Sequence, residues 1–220
     1  MKPLAVIAHY NKDLTWANEL LRLGFDILVY DKGDKYPESG IQLSSLESPV
    51  AGFFVKKLPN VGREAHTYAH YIVENFDTMP DDQITVFLQD DAPRHCPMFW
   101  ENLSRLNPDS DFHSISPMGR YPFGDSLPKA CRAMKAYALE GEPPLQLAAY
   151  YDLIFEKGPP DDLGTPHIFS HGANFAVKQT AIKKAGINIF KRIVKYTEHA
   201  QHPIEAAVME RFWAQALGCA

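Results

Sequence analysis

Two adjacent carboxylates, Asp90 and Asp91, close an apolar run, Ile84-Thr85-Val86-Phe87-Leu88, with Gln89 between run and pair. Side by side at the end of a buried strand they repel each other and resist losing water. A divalent cation relieves both costs, and Mg²⁺ or Mn²⁺ takes such oxygen ligands together with phosphate. The competing reading is a solvated turn in which one aspartate caps the next helix. His9-Tyr10-Asn11 and Asp31-Lys32-Gly33 follow two further apolar runs, Leu4 to Ala8 and Phe25 to Tyr30. Ligands of open parallel sheets bind beyond the C-terminal strand ends. All three clusters are therefore expected to converge on one edge of a sheet.

Other residues carry weaker chemical signals. Asn60-Val61-Gly62-Arg63-Glu64-Ala65-His66 opens a helix, whose N-terminus favours an anion that Arg63 would clamp. Equally, it is an ordinary helix start with Glu64 complementing the dipole. Neither a Walker sequence nor GxGxxG is present. His66 and His70 are spaced for metal chelation on a helix, but residue 67 is Thr and HExxH is absent. His167 and His171 would share one face of a strand. His171-Gly172-Ala173-Asn174 is then a candidate metal ligand or acceptor contact, with a pair of structural histidines as the alternative. A nucleophilic hydrolase is poorly supported, because there is no GxSxG and the neighbours His95 and Cys96 would point apart. Glu205 and Glu210, five apart on a helix, lie about 140° apart around its axis. Only one of them faces a given cleft, as a general base or as a partner for Arg211 or Lys195. Asp125 and Asp152 are lesser candidates.

The elements that must position these groups follow from hydrophobic pattern. Continuous apolar runs give strands at Leu4 to Ala8, Phe25 to Tyr30 and Ile84 to Leu88, with a short one at Phe53 to Val55. Asp13 is the expected N-cap of a helix through Trp16, Ala17, Leu20 and Leu21, stopped by Gly24. Helical spacing covers Arg63 to Phe76. The order strand, helix, strand, loop, strand, helix, strand predicts an α/β fold with a mostly parallel sheet flanked by helices. Beyond residue 90 the pattern is less regular. A short helix is expected at Pro97 to Leu106, loop over 107–127, helix at Ala130 to Leu139 and a strand broken by a glycine bend at His167 to Val177. Helices follow at 178–185, 187–198 and 203–217. No repeat or long polar linker divides the chain, so a single domain is expected over 1–220.

Composition bounds the partners. The chain has 220 residues, with 45% hydrophobic and 22% charged. A chain of this size buries about 70% of its unfolded surface, enough for a core without staples. The net charge of −5, from 22 basic and 27 acidic residues, predicts no broad basic surface for duplex nucleic acid. Three cysteines without CxxC fit a reducing compartment. No apolar run reaches the ~18 residues of a membrane span, and the first apolar run is too short for a signal peptide. The expected location is the cytoplasm.

Ala8-His9-Tyr10-Asn11-Lys12-Asp13-Leu14 followed by Val29-Tyr30-Asp31-Lys32-Gly33 resembles the opening of GT-A-fold glycosyltransferases. There a Tyr-Asn-Glu or similar element follows the first strand and an Asp-rich loop follows the second. Asn60-Val61-Gly62-Arg63-Glu64 is similar to the Asn-x-Gly-Arg-(Asp/Glu) element of glycosyltransferase-like and rhamnan-synthesis-like proteins. Val86-Phe87-Leu88-Gln89-Asp90-Asp91 sits where the family carries Asp-x-Asp, although Gln89-Asp90-Asp91-Ala92 is not a strict match. Gly172-Ala173-Asn174-Phe175-Ala176-Val177 and Met209-Glu210-Arg211-Phe212-Trp213 resemble a family of uncharacterised glycosyltransferase-like domains of fungi and bacteria.

The resemblance implies a GT-A-like, Rossmann-like fold. Its nucleotide-binding half would be 1–106 and its acceptor-side half 107–220. It implies transfer of a sugar from a nucleoside-diphosphate sugar, a UDP-sugar first, to a glycan or other hydroxyl acceptor, assisted by Mn²⁺ or Mg²⁺. His9, Tyr10 and Asn11 would line the base and ribose, and Asp31, in the Asp31-Lys32-Gly33 loop, would contact either. Arg63, Glu64 and Gln89 would lie near the nucleotide or sugar. Asp90 and Asp91 would hold the metal on the diphosphate. His171, Gly172 and Asn174 fall on the acceptor side, and Glu205 or Glu210 would be the base. A non-catalytic nucleotide- or sugar-binding module and a metal-dependent phosphohydrolase are the alternatives.

Overall fold

The computed structural model describes residues 1–34, 52–122, 147–158 and 166–219. The expected helix at 130–139 and Asp125 lie outside them. Strand β1 (Leu4–His9) leads to helix α1 (Ala17–Arg22), then β2 (Asp26–Asp31) and β3 (Phe53–Lys57). Next come α2 (Arg63–Asn75), β4 (Ile84–Gln89), α3 (Ala92–His95), α4 (Phe99–Ser104), β5 (Phe112–Ser114) and β6 (Met118–Pro122). After α5 (Leu147–Phe155), β7 (Pro166–Ser170) runs into a single 3₁₀ turn (His171–Ala173) and β8 (Phe175–Lys178). Helices α6 (Gln179–Ala185), α7 (Ile187–Thr197) and α8 (Ile204–Ala216) complete the described chain.

The main sheet has six strands in the order β3-β2-β1-β4-β8-β5, and β6 pairs with β7 separately. Strands β3, β2, β1 and β4 run parallel. Strand β8 runs against β4 and against β5. The fold is thus α/β with a mostly parallel sheet flanked by helices, compatible with a Rossmann-like arrangement.

Alternation along β1 shows why the sheet needs cover on both faces. Val6 joins Tyr30, Tyr68, Phe87, Phe175 and Trp213 in one core, under α2, α7 and α8. Ala5 and Ile7 join Ile27, Val29, Val86 and Leu88 in the other, with Leu20 of α1 and Phe99 of α4.

Two local departures from expectation have simple causes. Asp13 does not cap α1. Its Oδ1 accepts the Thr15 amide at 2.8 Å, a tight turn in which Ala17 N–H already bonds Leu14 O, so the helix proper starts at Ala17. His171 does not share a strand face with His167, because β7 ends at Ser170 and Gly172 takes a left-handed φ of 66°. Within the stretch expected to be loop, Phe112–Ser114 pairs with β8 at the sheet edge.

The strand order reverses between β1 and β4: β1 is followed by β2 on one side, while β4 takes the other. Such a switch point opens a crevice beyond the C-terminal strand ends. His9-Tyr10-Asn11 and Gln89-Asp90-Asp91 stand on its two lips.

Candidate functional site

On the first lip, where the end of β2 backs that of β1 and which is called the β2 lip below, a closed polar network sets the shape of the rim. Asp31 is fully buried. Its Oδ1 accepts His9 Nδ1–H at 2.8 Å and the Gly33 amide at 2.9 Å, and its Oδ2 accepts Lys57 Nζ. Burial alone would raise the Asp31 carboxyl, but Lys57, the Gly33 amide and His9 together hold it below its ordinary value. The other ring nitrogen of His9 lies 2.9 Å from Lys12 O. Lys32 is turned inward as well, donating from Nζ to Val61 O and Arg63 O at 2.6 Å each. Its burial lowers the amine to about 7, against the pull of Glu64. His9, Asp31 and Lys32 therefore hold the rim in place from behind, which corrects the expectation that they line it.

Tyr10 and Asn11 are what the rim presents. Tyr10 is 49% exposed. Asn11 adopts a φ of 59°, and its Oδ1 accepts the Asp34 amide at 2.9 Å. The two loops touch so closely that a Cβ on Gly33 would sit 2.9 Å from the Asn11 main-chain nitrogen.

On the β4 lip the charges are less completely matched. Asp90 Oδ2 accepts the Tyr10 amide at 2.7 Å, tying the two lips together. Its carbonyl accepts Trp16 Nε1–H at 2.9 Å. Burial pushes the Asp90 carboxyl up to about 6, with Asp91 adding to the rise and the Tyr10 amide opposing it. Asp91 stands at the N-cap of α3 but makes no side-chain cap hydrogen bond. Its Oδ1 instead meets His95 Nε2 at 3.0 Å, one helical turn on. That contact lowers the Asp91 carboxyl and raises the His95 imidazole. The aspartates are thus divided between two partners, and neither serves as a helix cap.

The second half of the chain reaches this lip because β8 is reversed, so its N-terminal end lies beside the C-terminal end of β4. Gln89 N–H donates to Asn174 Oδ1 at 2.9 Å, and Asn174 Nδ2 donates to Ser116 Oγ at 3.2 Å. Asn174 is fully buried. It fastens β8 to β4 and does not face an acceptor, a correction to its expected role. Gly172 N–H donates to Glu210 Oε1 at 3.0 Å, bringing α8 to the turn. A Cβ on Gly172 would lie within 3.7 Å of Gln89 and His95. His171 is half-buried, and burial followed by the Arg211 charge lowers its imidazole.

Glu210 Oε1 also meets Arg211 Nη1 at 3.2 Å, and Arg211 lies 3.9 Å over the Phe169 ring. Glu205 faces elsewhere: its Oε2 is 3.8 Å from His199 Nε2, and its charge acts on Tyr150. Of the two base candidates, the cleft holds Glu210. Asp152 is exposed on α5.

Helix α2 supplies the remaining wall. Gly62 precedes it with a φ of 64°, and a Cβ there would come 2.5 Å from Thr197 O of α7. Glu64 is 7% exposed, with Arg63 Nε 3.5 Å from its Oε2. Burial raises the Glu64 carboxyl, and the Glu210 charge adds to the rise while Arg63 opposes it. His66 and His70 stack on each other at 5.8 Å. His70 meets Tyr30 of β2 edge-on at 5.7 Å, and burial lowers His66 to about 4.

Asp91, Glu64 and Glu210 all act on His95, and Asp90 adjoins Asp91, so four carboxylates gather near the C-terminal end of β4. They come from a strand end and two helices. His95, Arg63 and Arg211 answer them in part. Among the described residues no group of three or more His, Cys, Asp or Glu is placed to hold a metal ion by itself. Asp90 and Asp91 form an oxygen-only set, the type that suits Mg²⁺ or Mn²⁺ when ligand phosphate and water complete the shell. Two contributors escaped sequence reasoning. His95 had a usable signal in its four-residue spacing from Asp91. Trp16 had none beyond its aromatic character.

No protein-family model matches the chain, and a search of the curated proteins finds no match. No helix among the described residues is long and apolar enough to cross a membrane.

Proposed function

We propose that the protein transfers a sugar from a nucleoside-diphosphate sugar, a UDP-sugar first, to a hydroxyl acceptor. The observation that supports this best is the convergence of Asp90, Asp91, Glu64 and Glu210 at the β1/β4 switch point, beside the exposed Tyr10. Such a surplus of negative charge suits a diphosphate only when it arrives with a cation. Tyr10 and Asn11 receive the base and ribose, on a rim held by His9, Asp31, Lys32 and Gly33. Asp90 and Asp91 would hold Mn²⁺ or Mg²⁺, which when bound supplies positive charge at the departing diphosphate. Arg63 adds a further cation on that side.

The acceptor hydroxyl approaches past His171 and Gly172. As its oxygen bonds to the anomeric carbon, the bond from that carbon to the diphosphate oxygen breaks. Glu210 takes the hydroxyl proton, and the nucleoside diphosphate leaves. The Gly172 amide and Arg211 both hydrogen-bond Glu210 Oε1 and hold it in place for this task.

A thermal-shift panel of UDP, GDP, CDP and TDP, each with and without Mn²⁺, tests the donor class. A ligand at 100 times its Kd adds about 2.7 kcal/mol of stability. One nucleotide should shift the transition, and more so with Mn²⁺. A flat panel at millimolar ligand would overturn the reading. With a donor in hand, Glu210→Gln should slow turnover by about 10²–10⁴-fold, the range of a lost general base. Glu205→Gln should leave it unchanged. Binding without turnover would favour a binding module, and phosphate release without acceptor a phosphohydrolase.

A further inference from the structure

Tyr68 is fully buried, yet its hydroxyl has no hydrogen-bond partner among the described residues. Such groups are rare in folded proteins and costly when left unpaired. The ring cannot turn away to find one. Phe87 of β4, Phe175 of β8 and Trp213 of α8 pack against it at centroid distances of 4.9, 6.0 and 5.8 Å. Tyr68 lies one helical turn beyond Glu64 on α2, so the two side chains share a face. Burial, then the charges of Glu64, Asp90 and Asp91, hold its phenol well above the ordinary value. The hydroxyl therefore keeps its proton and lies in the field of three of the four cleft carboxylates.

We propose that Tyr68 is a positioning residue of the acidic cleft, its hydroxyl hydrogen-bonded to a water in the hydration shell of a divalent cation seated on Asp90 and Asp91. This role rests on the cation reading given above. Mg²⁺-type ions keep several waters when bound through one or two carboxylates. Groups that orient the shell from behind the ligands typically set 10–100-fold of metal affinity. A buried aromatic that otherwise belongs to the core then has a reason to be tyrosine and not phenylalanine. One rival partner is nearby: Trp213 Nε1 is also buried and has no hydrogen-bond partner among the described residues, so an internal water shared with Tyr68 would serve structure alone.

Tyr68→Phe keeps the ring and its packing and removes only the oxygen. Mn²⁺ alone is titrated into wild type and Y68F, following free Mn²⁺ by its electron paramagnetic resonance signal, and the ligand-free Tm of each is measured. The proposal expects Mn²⁺ affinity about 10–100-fold weaker in Y68F, with a ligand-free Tm equal to wild type or higher. Equal Mn²⁺ affinity in the two proteins overturns the role of Tyr68 and leaves the cation reading standing. Equal affinity with a lower Y68F Tm assigns the hydroxyl to the internal water with Trp213. Absence of Mn²⁺ binding by wild type both alone and in a second titration with UDP present overturns the cation reading and this role together.

Discussion

The two lips of the crevice use the same kinds of residue to opposite ends. On the β2 lip, a wholly buried carboxylate meets a histidine, a lysine and a main-chain amide, and every oxygen of Asp31 is engaged. On the β4 lip, Asp90 is almost as deeply buried but has one main-chain amide on its carboxylate and a second aspartate beside it. The difference appears in the direction of the two acidities: Asp31 is pulled below its ordinary value and Asp90 is pushed above it. A buried charge that its own protein has fully answered belongs to the architecture. One that is answered only in part is, on the function proposed above, where a cation from outside would complete the balance.

The sharpest way to break this contrast is to remove the hub of the closed lip. Asp31→Asn should lose about 3–5 kcal/mol of stability, the usual cost of stripping one partner from a buried pair, read from urea unfolding at pH 7. Gly62→Ala tests the wall behind both lips. A side chain there combines a left-handed φ with contact on the Thr197 carbonyl, and about 1–3 kcal/mol should be lost, as for overpacking elsewhere.

Asp90→Asn should behave in the opposite sense to Asp31→Asn. With a folded pKa near 6, above the ordinary carboxylate value, native Asp90 binds its proton sooner than the unfolded chain does. Wild type therefore gains stability from this group as pH falls from about 6 to about 4. The amide variant should be the more stable protein at pH 7, by at most about 3 kcal/mol, and this advantage should vanish near pH 4. Stability from Asp31 runs the other way, present above the ordinary carboxylate value and lost as pH falls through its depressed folded value. Tm measured across pH 4–7 for wild type and both variants separates the two. Parallel curves for the two variants would erase the contrast between the lips.

Much of this frame could be read from residue order. The apolar runs ending at Ala8, Tyr30 and Leu88 gave β1, β2 and β4 to within a residue or so, because a strand buried on both faces has no choice but to be apolar throughout. The bend at Gly172 and the last three helices followed from punctuation and period. Convergence of the three polar clusters also followed, once the strands were parallel. Side-chain direction did not. Nothing in Asp31-Lys32-Gly33 tells that two of the three turn inward, since that depends on Lys57 and on the Val61 and Arg63 carbonyls arriving from elsewhere. Asn174 read as a surface contact because its partners, Gln89 and Ser116, lie 85 and 58 residues away. The reversal of β8, which brings Glu210 to the cleft, is a property of pairing, and hydrophobic pattern is blind to strand direction.

The hydrogen bond from Trp16 Nε1 to the Asp90 carbonyl has a practical side. The chain carries three tryptophans. Trp16 is joined to the backbone of the acidic lip, and Trp213 packs on Tyr68 at its floor. Indole emission depends on the charge and hydrogen bonding around the ring, so under the proposed function the native fluorescence of this protein would report a cation at Asp90. Titrations can be followed without a label, and Trp16→Phe and Trp213→Phe divide the signal between rim and floor.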